Sequence, residues 1–172
     1  MIIVLIGYMG SGKSSIGRRL VKKLDCSLID LDDFIEEMEQ ATVKEIFESK
    51  GEIYFRKKEE EYLLELLKFK EDVILSLGGG TPCFGNNMNH IIDADNTKSI
   101  YLKSSIPKLV DKLIKKKAKR PLIAHIETKQ ELAEFIGKHL FERAHFYSKA
   151  QYQVVTDNKS KDEITEEILE LL

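Results

Sequence analysis

Cysteine is scarce: two residues, Cys26 and Cys83, lie far apart and form no C-x-x-C pair. A disulfide scaffold or a zinc site is therefore not expected, and a reducing compartment fits. The four histidines (His90, His125, His139, His145) make no H-E-x-x-H pattern. Neither sign of charge dominates. Lys plus Arg number 27 against 29 Asp plus Glu, a formal net charge of −2. Such a balance gives no reason to expect nucleic acid or an anionic membrane as partner over the whole surface. Long hydrophobic runs are missing too. The N-terminal apolar run Ile2 to Ile6 lacks a basic flank and is too short for a signal peptide core or a membrane span. A cytoplasmic protein is expected. The sequence also has no coiled-coil heptads, internal repeat, low-complexity segment or linker.

What remains is an ordinary globular composition, 42% hydrophobic and 33% charged. Its 172 residues suit one domain, long enough to bury a real core. Short apolar runs alternate with amphipathic stretches. Strands are expected at Ile2 to Ile6, Ser27 to Ile29, Val73 to Leu77, Ser99 to Leu102 and Gln153 to Thr156. Helices are expected over Lys13 to Leu24, around Phe34 to Met38, from the capping box Thr42-Val-Lys-Glu45 towards Ser49, over Glu52 to Phe69, after Ile106, from Thr128 to about Ala150, and after Ser160. The basic stretch Lys115 to Glu127 lacks helical periodicity and reads as a loop. Strand–helix alternation with nearly continuous apolar strands indicates an α/β domain on a parallel sheet. In such sheets ligands bind beyond the carboxyl ends of the strands. That directs attention to Gly7 to Ser14, Asp30 to Asp32 and Gly78 to Gly80.

The first of these, Gly7-Tyr-Met-Gly-Ser-Gly-Lys13-Ser14, satisfies G-x-x-x-x-G-K-[ST]. Its glycines let backbone N–H groups wrap phosphate oxygens, and the following helix N-terminus adds positive potential. Lys13 is suited to the β- and γ-phosphates of ATP, and the Ser14 hydroxyl to Mg²⁺. With glycine at about 7% of residues, chance gives this pattern roughly once in tens of thousands of positions. Here it also sits between a buried strand and an amphipathic helix.

The other residues are weaker alone. Asp30 and Asp32 stand two apart at a strand end, so both carboxylates can face the phosphates; an N-cap aspartate is the plainer alternative. Arg56, with Glu59 three residues on, can be held for bidentate capture of a carboxylate, or be a surface ion pair. Three glycines at 78–80 carry an entropic penalty, which implies close approach to the backbone or simply a tight turn. The lysines of 115–119 read as a solvated face. Arg120 differs, because Pro121 stiffens the chain beside it and an arginine there can close over a transferring phosphoryl group. Arg143 taken alone reads as a surface residue.

Together, G-Y-M-G-S-G-K-S at 7–14, D-L-D at 30–32, F-R-x-x-E at 55–59, L-G-G-G at 77–80, R-P-L at 120–122 and E-R-x-x-x-Y at 142–147 resemble the shikimate kinase family over almost the whole chain. The resemblance implies a single P-loop kinase domain over 1–172. It implies a five-stranded parallel sheet of order 2-3-1-4-5, a substrate-binding helical region at about 31–61 and a lid at about 113–127. It implies transfer of the ATP γ-phosphoryl to the 3-hydroxyl of shikimate, in aromatic amino acid biosynthesis. Gly10, Ser11, Gly12, Lys13, Ser14, Ser15 and Arg120 would bind ATP, with Ser14 and Asp30 placing Mg²⁺, Asp30 through water. Asp32 would bind the acceptor hydroxyl. Arg56, Gly79 and Arg143 would hold shikimate, and Phe47 and Phe55 would line its pocket. Lys13, Asp32 and Arg120 would be the catalytic set. Lys112 stands where many members carry an arginine that stacks on adenine, and Asp157, Asn158 and Lys159 fall at the adenine loop. Family members are often monomers, so a monomer is expected.

Rival readings are a gluconate kinase or a nucleoside monophosphate kinase, which explain the D-x-D, F-R and triple-glycine set less well. A GTP-dependent switch would carry N-K-x-D, yet Asn158-Lys-Ser-Lys161 breaks at its fourth position. A nucleic-acid-associated ATPase would show a basic stripe interleaved with aromatics, which is lacking.

Overall fold

The computed structural model describes residues 1–119 and 122–172. Five strands, β1 (Ile2–Ile6), β2 (Ser27–Asp30), β3 (Val73–Ser76), β4 (Thr97–Lys103) and β5 (Tyr152–Val155), form one parallel sheet of order β2-β3-β1-β4-β5. The central strand β1 is apolar at every position because both of its faces are covered. Ile2, Val4 and Ile6 point into one core cluster, Ile3 and Leu5 into the other. That period of two follows from the pleat. The edge strands β2 and β5 are only partly buried, which is why their apolar signal in the sequence is shorter.

Helices α1 (Lys13–Leu24) and α7 (Lys161–Leu171) cover the second cluster, where Ile16 and Leu20 meet Ile164 and Ile168. The larger cluster gathers α2 (Leu31–Glu39), α3 (Val43–Leu66), α4 (Asn87–Asp93), α5 (Ile106–Leu113) and α6 (Lys129–Tyr147). Capping boxes at Thr42, Thr128 and Ser160 start α3, α6 and α7 as the sequence indicates. Gly51, at φ 83°, breaks α3 into two helices, between the helical stretches expected to run towards Ser49 and to start at Glu52.

Three short elements depart from the expectations. The Lys115 to Glu127 stretch is not wholly a loop, since Ile114–Lys119 forms 3₁₀ turns continuing α5. A three-residue period leaves no 3.6-residue pattern to read. A 3₁₀ turn at Thr81–Cys83 and the seven-residue α4 follow the triple glycine. Among the described residues no helix is long and apolar enough to cross a membrane.

Candidate active site

The segment linking β1 to α1 wraps the mouth of the sheet. Gly10 (φ 84°) and Gly12 (φ 109°) occupy left-handed backbone that a side chain would strain. Gly12 is also the N-cap of α1, so the helix begins with its free N–H groups facing the cleft. Lys13 folds back over the loop, donating from Nζ to the carbonyls of Gly7 (2.8 Å) and Tyr8 (3.2 Å). Ser14 is exposed towards the cleft. Gly10, Gly12, Lys13, Ser14 and Ser15 all line one cavity of ≈ 1120 Å³, while Ser11 is buried beneath the loop.

The opposite wall comes from β2 and β3. Asp30 caps α2, accepting from the backbone N–H of Asp32 (3.2 Å) and from Ser76 Oγ (3.0 Å). The N-cap alternative for Asp30 is thus correct as well, and each of its oxygens keeps lone pairs for other partners. Asp32 lies against Gly78, where an added Cβ would stand 3.0 Å from its Oδ1. Burial pushes the Asp32 carboxyl up to about 6; Asp30 and Glu59 add to the rise, and Lys13 and Arg56 oppose it.

Arg56 on α3 donates to Glu59 Oε2 (2.8 Å), and Glu59 is 1% exposed and accepts from Thr81 Oγ1 (2.6 Å). The guanidinium stacks 3.7 Å over the Phe84 ring. It is therefore an oriented group and not a loose surface ion pair. Arg143 on α6 is half-buried beside Gly79, where an added Cβ would sit 3.7 Å from Nη1. The Tyr147 hydroxyl, one turn on, donates to the Gly79 carbonyl. Both arginines act on Cys83, whose thiol burial nevertheless pushes to about 11. Two cations thus converge on one turn, and Arg143 is not the surface residue that its sequence alone suggests. Close approach accounts for two of the three glycines, since an added Cβ would stand 3.0 Å from Asp32 at Gly78 and 3.1 Å from Arg56 at Gly80; at Gly79 the neighbours, Arg143 among them, lie at ordinary contact distance. Phe47 and Phe55 pack at 4.7 Å between ring centroids across the Gly51 break.

Along the same cavity, Asp157 accepts from the backbone N–H and Oγ of Ser105 and ties the β5–α7 loop to the start of α5. Lys112 donates from Nζ to the Gly10 carbonyl (3.3 Å), so α5 touches the phosphate loop directly. Lys112, Asp157, Asn158 and Lys159 all line the large cavity. Arg120 and Pro121 lie outside the described residues.

Among the described residues no three His, Cys, Asp or Glu side chains group to cage a metal. Mg²⁺ does not need such a cage, binding through one or two protein oxygens plus phosphates and water. Asp30 and Ser14 supply hard oxygen donors to one cavity, so the residues fit that ion.

Two contacts here have no signature in the sequence. Tyr8, the first variable position of the phosphate loop, hydrogen-bonds His139 across 131 residues. Glu39 accepts from Tyr54 (2.6 Å) and Tyr62 (2.7 Å) and pairs with Lys50, fastening α2 to both halves of α3.

Comparison with known proteins gives a consistent result. A family model described as shikimate kinase matches residues 9–172. The shikimate kinase of Flavobacterium johnsoniae is 49% identical over 170 residues, covering 99% of this chain and 98% of its own. The crystal structure of shikimate kinase from Bacteroides thetaiotaomicron is similar at a TM-score of 0.89 and 36% identity, covering 99% of this chain and 97% of that one. A shikimate kinase from Acinetobacter baumannii in complex with shikimate is similar at 0.84 and 29%, over 99% and 91%.

Proposed function

The chain belongs to the shikimate kinase family, and we propose that it moves the γ-phosphoryl group of ATP to the 3-hydroxyl of shikimate. The observation that carries this reading is the convergence on the Gly78–Gly80 turn. Asp32 reaches it from one side, and two oriented arginines, Arg56 and Arg143, reach it from the others. An acceptor with one carboxylate and a nearby hydroxyl suits that arrangement.

Phosphoryl transfer has a loose transition state, so the protein acts chiefly by positioning and by neutralising charge. Lys13 and the N–H groups at the start of α1 hold the β- and γ-phosphates. Ser14 and Asp30 hold Mg²⁺, which supplies neutralisation of phosphate charge when bound. Arg56 and Arg143 grip the acceptor carboxylate; Phe47 and Phe55 shape its pocket within the region 31–61. Asp32, whose raised pKa keeps it a competent base near neutral pH, orients the acceptor hydroxyl and takes its proton as the bond forms. Lys112, Asp157, Asn158 and Lys159 border the base. Arg120, in a lid at about 113–127, is assigned to the transferring group on the family pattern alone. Apart from Arg120, the described residues of one copy supply every group in this scheme, which supports a monomer; the near-balanced charge supports the proposal of a cytoplasmic enzyme with no nucleic acid or membrane partner.

Steady-state kinetics of Arg56→Ala and Arg143→Ala test the acceptor site. Each should raise KM for shikimate at least tenfold with little change for ATP. Equal losses for both substrates would contradict the assignment.

A further inference from the structure

The tyrosine in the phosphate loop is fully buried, and its hydroxyl lies 3.0 Å from Nδ1 of His139 on α6. Burial pushes the Tyr8 hydroxyl up to about 12, so it keeps its proton and donates. Burial first, and then the nearby Arg143, push the His139 imidazole down, which leaves it neutral and able to accept at Nδ1. Phe135 packs on the imidazole at 4.4 Å and fixes its plane.

His139, Arg143 and Tyr147 follow one another at intervals of four on α6, so they share one face. Every member of that face touches the site. His139 bonds Tyr8, the Arg143 guanidinium lies 5.8 Å over the Tyr8 ring, and Tyr147 bonds the Gly79 carbonyl. Tyr8 is thus a strut with its backbone in the phosphate loop and its ring and hydroxyl against the helix that carries an acceptor arginine. Its carbonyl, moreover, accepts from Lys13 Nζ. A shift of the loop around a nucleotide's phosphates therefore displaces the surroundings of Arg143.

We propose that Tyr8 and His139 are a positioning pair that couples nucleotide binding at the phosphate loop to acceptor binding at Arg143. This rests on the reading of Arg143 as a shikimate-binding residue. Neither side chain need touch either substrate. By linkage, the factor by which nucleotide tightens acceptor must equal that by which acceptor tightens nucleotide.

The test is calorimetric titration of shikimate into the protein, with and without saturating MgADP, for the wild type, Tyr8→Phe, His139→Ala and the double variant. Tyr8→Phe keeps the ring and removes only the donor. One neutral hydrogen bond corresponds to about fivefold. The ratio of the two shikimate Kd values should therefore fall about fivefold in each single variant. The double variant should fall no further, since both remove the same bond. His139→Asn, which can offer Oδ1 near the Nδ1 position, should restore part of the ratio. Melting temperatures and the Kd for MgADP alone should stay near wild type. A wild-type ratio of one overturns the proposal. So does an unchanged ratio in the single variants, or losses that add in the double variant. Absence of wild-type turnover with shikimate would instead remove the functional reading, and the proposal with it.

Discussion

Asp32→Asn should make the protein more stable and nearly inactive. The Asp32 carboxyl is held at about 6 against an ordinary 3.8, because it is buried near Asp30 and Glu59. About two units at 1.36 kcal/mol each correspond to about 3 kcal/mol of destabilisation when the group is ionised at neutral pH. The folded state binds this proton more tightly than the unfolded chain does. The stability it contributes is therefore full below about pH 4 and is lost as pH rises through about 6. Asparagine carries no charge, so it removes the penalty at pH 7.5 and changes little at pH 4. Denaturant unfolding without nucleotide, at both pH values, measures the difference directly. The variant should gain up to about 3 kcal/mol at pH 7.5, or several degrees in Tm. A variant that is less stable at pH 7.5, or that shows the same difference at both values, would refute the reasoning. Loss of kcat in the same variant would mark Asp32 as a site where activity is kept at the expense of stability.

The same shift sets a pH profile. With both substrates well below saturation, activity should fall about tenfold per unit below pH 6 and be flat above about 7. Gly80→Ala would place a Cβ 3.1 Å from Arg56 Nη2 and displace the guanidinium; KM for shikimate should rise roughly tenfold, with KM for ATP unchanged. Glu59→Gln weakens the buried partner of both Arg56 and Thr81. It should lower stability by about 1–3 kcal/mol in urea unfolding and raise KM for shikimate. Hydrogen bonds from Tyr54 and Tyr62 hold the Glu39 carboxyl down at about 2. Its contribution is present above its ordinary value and lost as pH falls towards 2, so Glu39→Gln should flatten the acid limb of the stability curve.

Much of the site could be read from residue type at a fixed place. Gly10 and Gly12 stand where the backbone is left-handed, and Lys13 and Ser14 follow from the same loop. Element positions and the break between Ser49 and Glu52 agree with expectation because burial pattern, capping boxes and glycine are local signals, whereas the strand order is implied by the family resemblance alone. Arg143 is legible only through the family resemblance, because folding alone brings it beside Gly79 and its flanking residues on α6 are exposed. The Tyr8–His139 bond and the Glu39 cluster join residues remote in sequence, with no periodic or motif signal. The turns at Ile114–Lys119 and the seven-residue α4 are too short for a helical period to register.

The central claim is tested most directly by ADP release with MgATP in the presence of shikimate, gluconate, AMP, CMP or no acceptor. The account predicts turnover with shikimate and only background with the others. Turnover with gluconate or a nucleotide in place of shikimate would leave the phosphate loop's role standing and contradict the assignments of Asp32, Arg56 and Arg143.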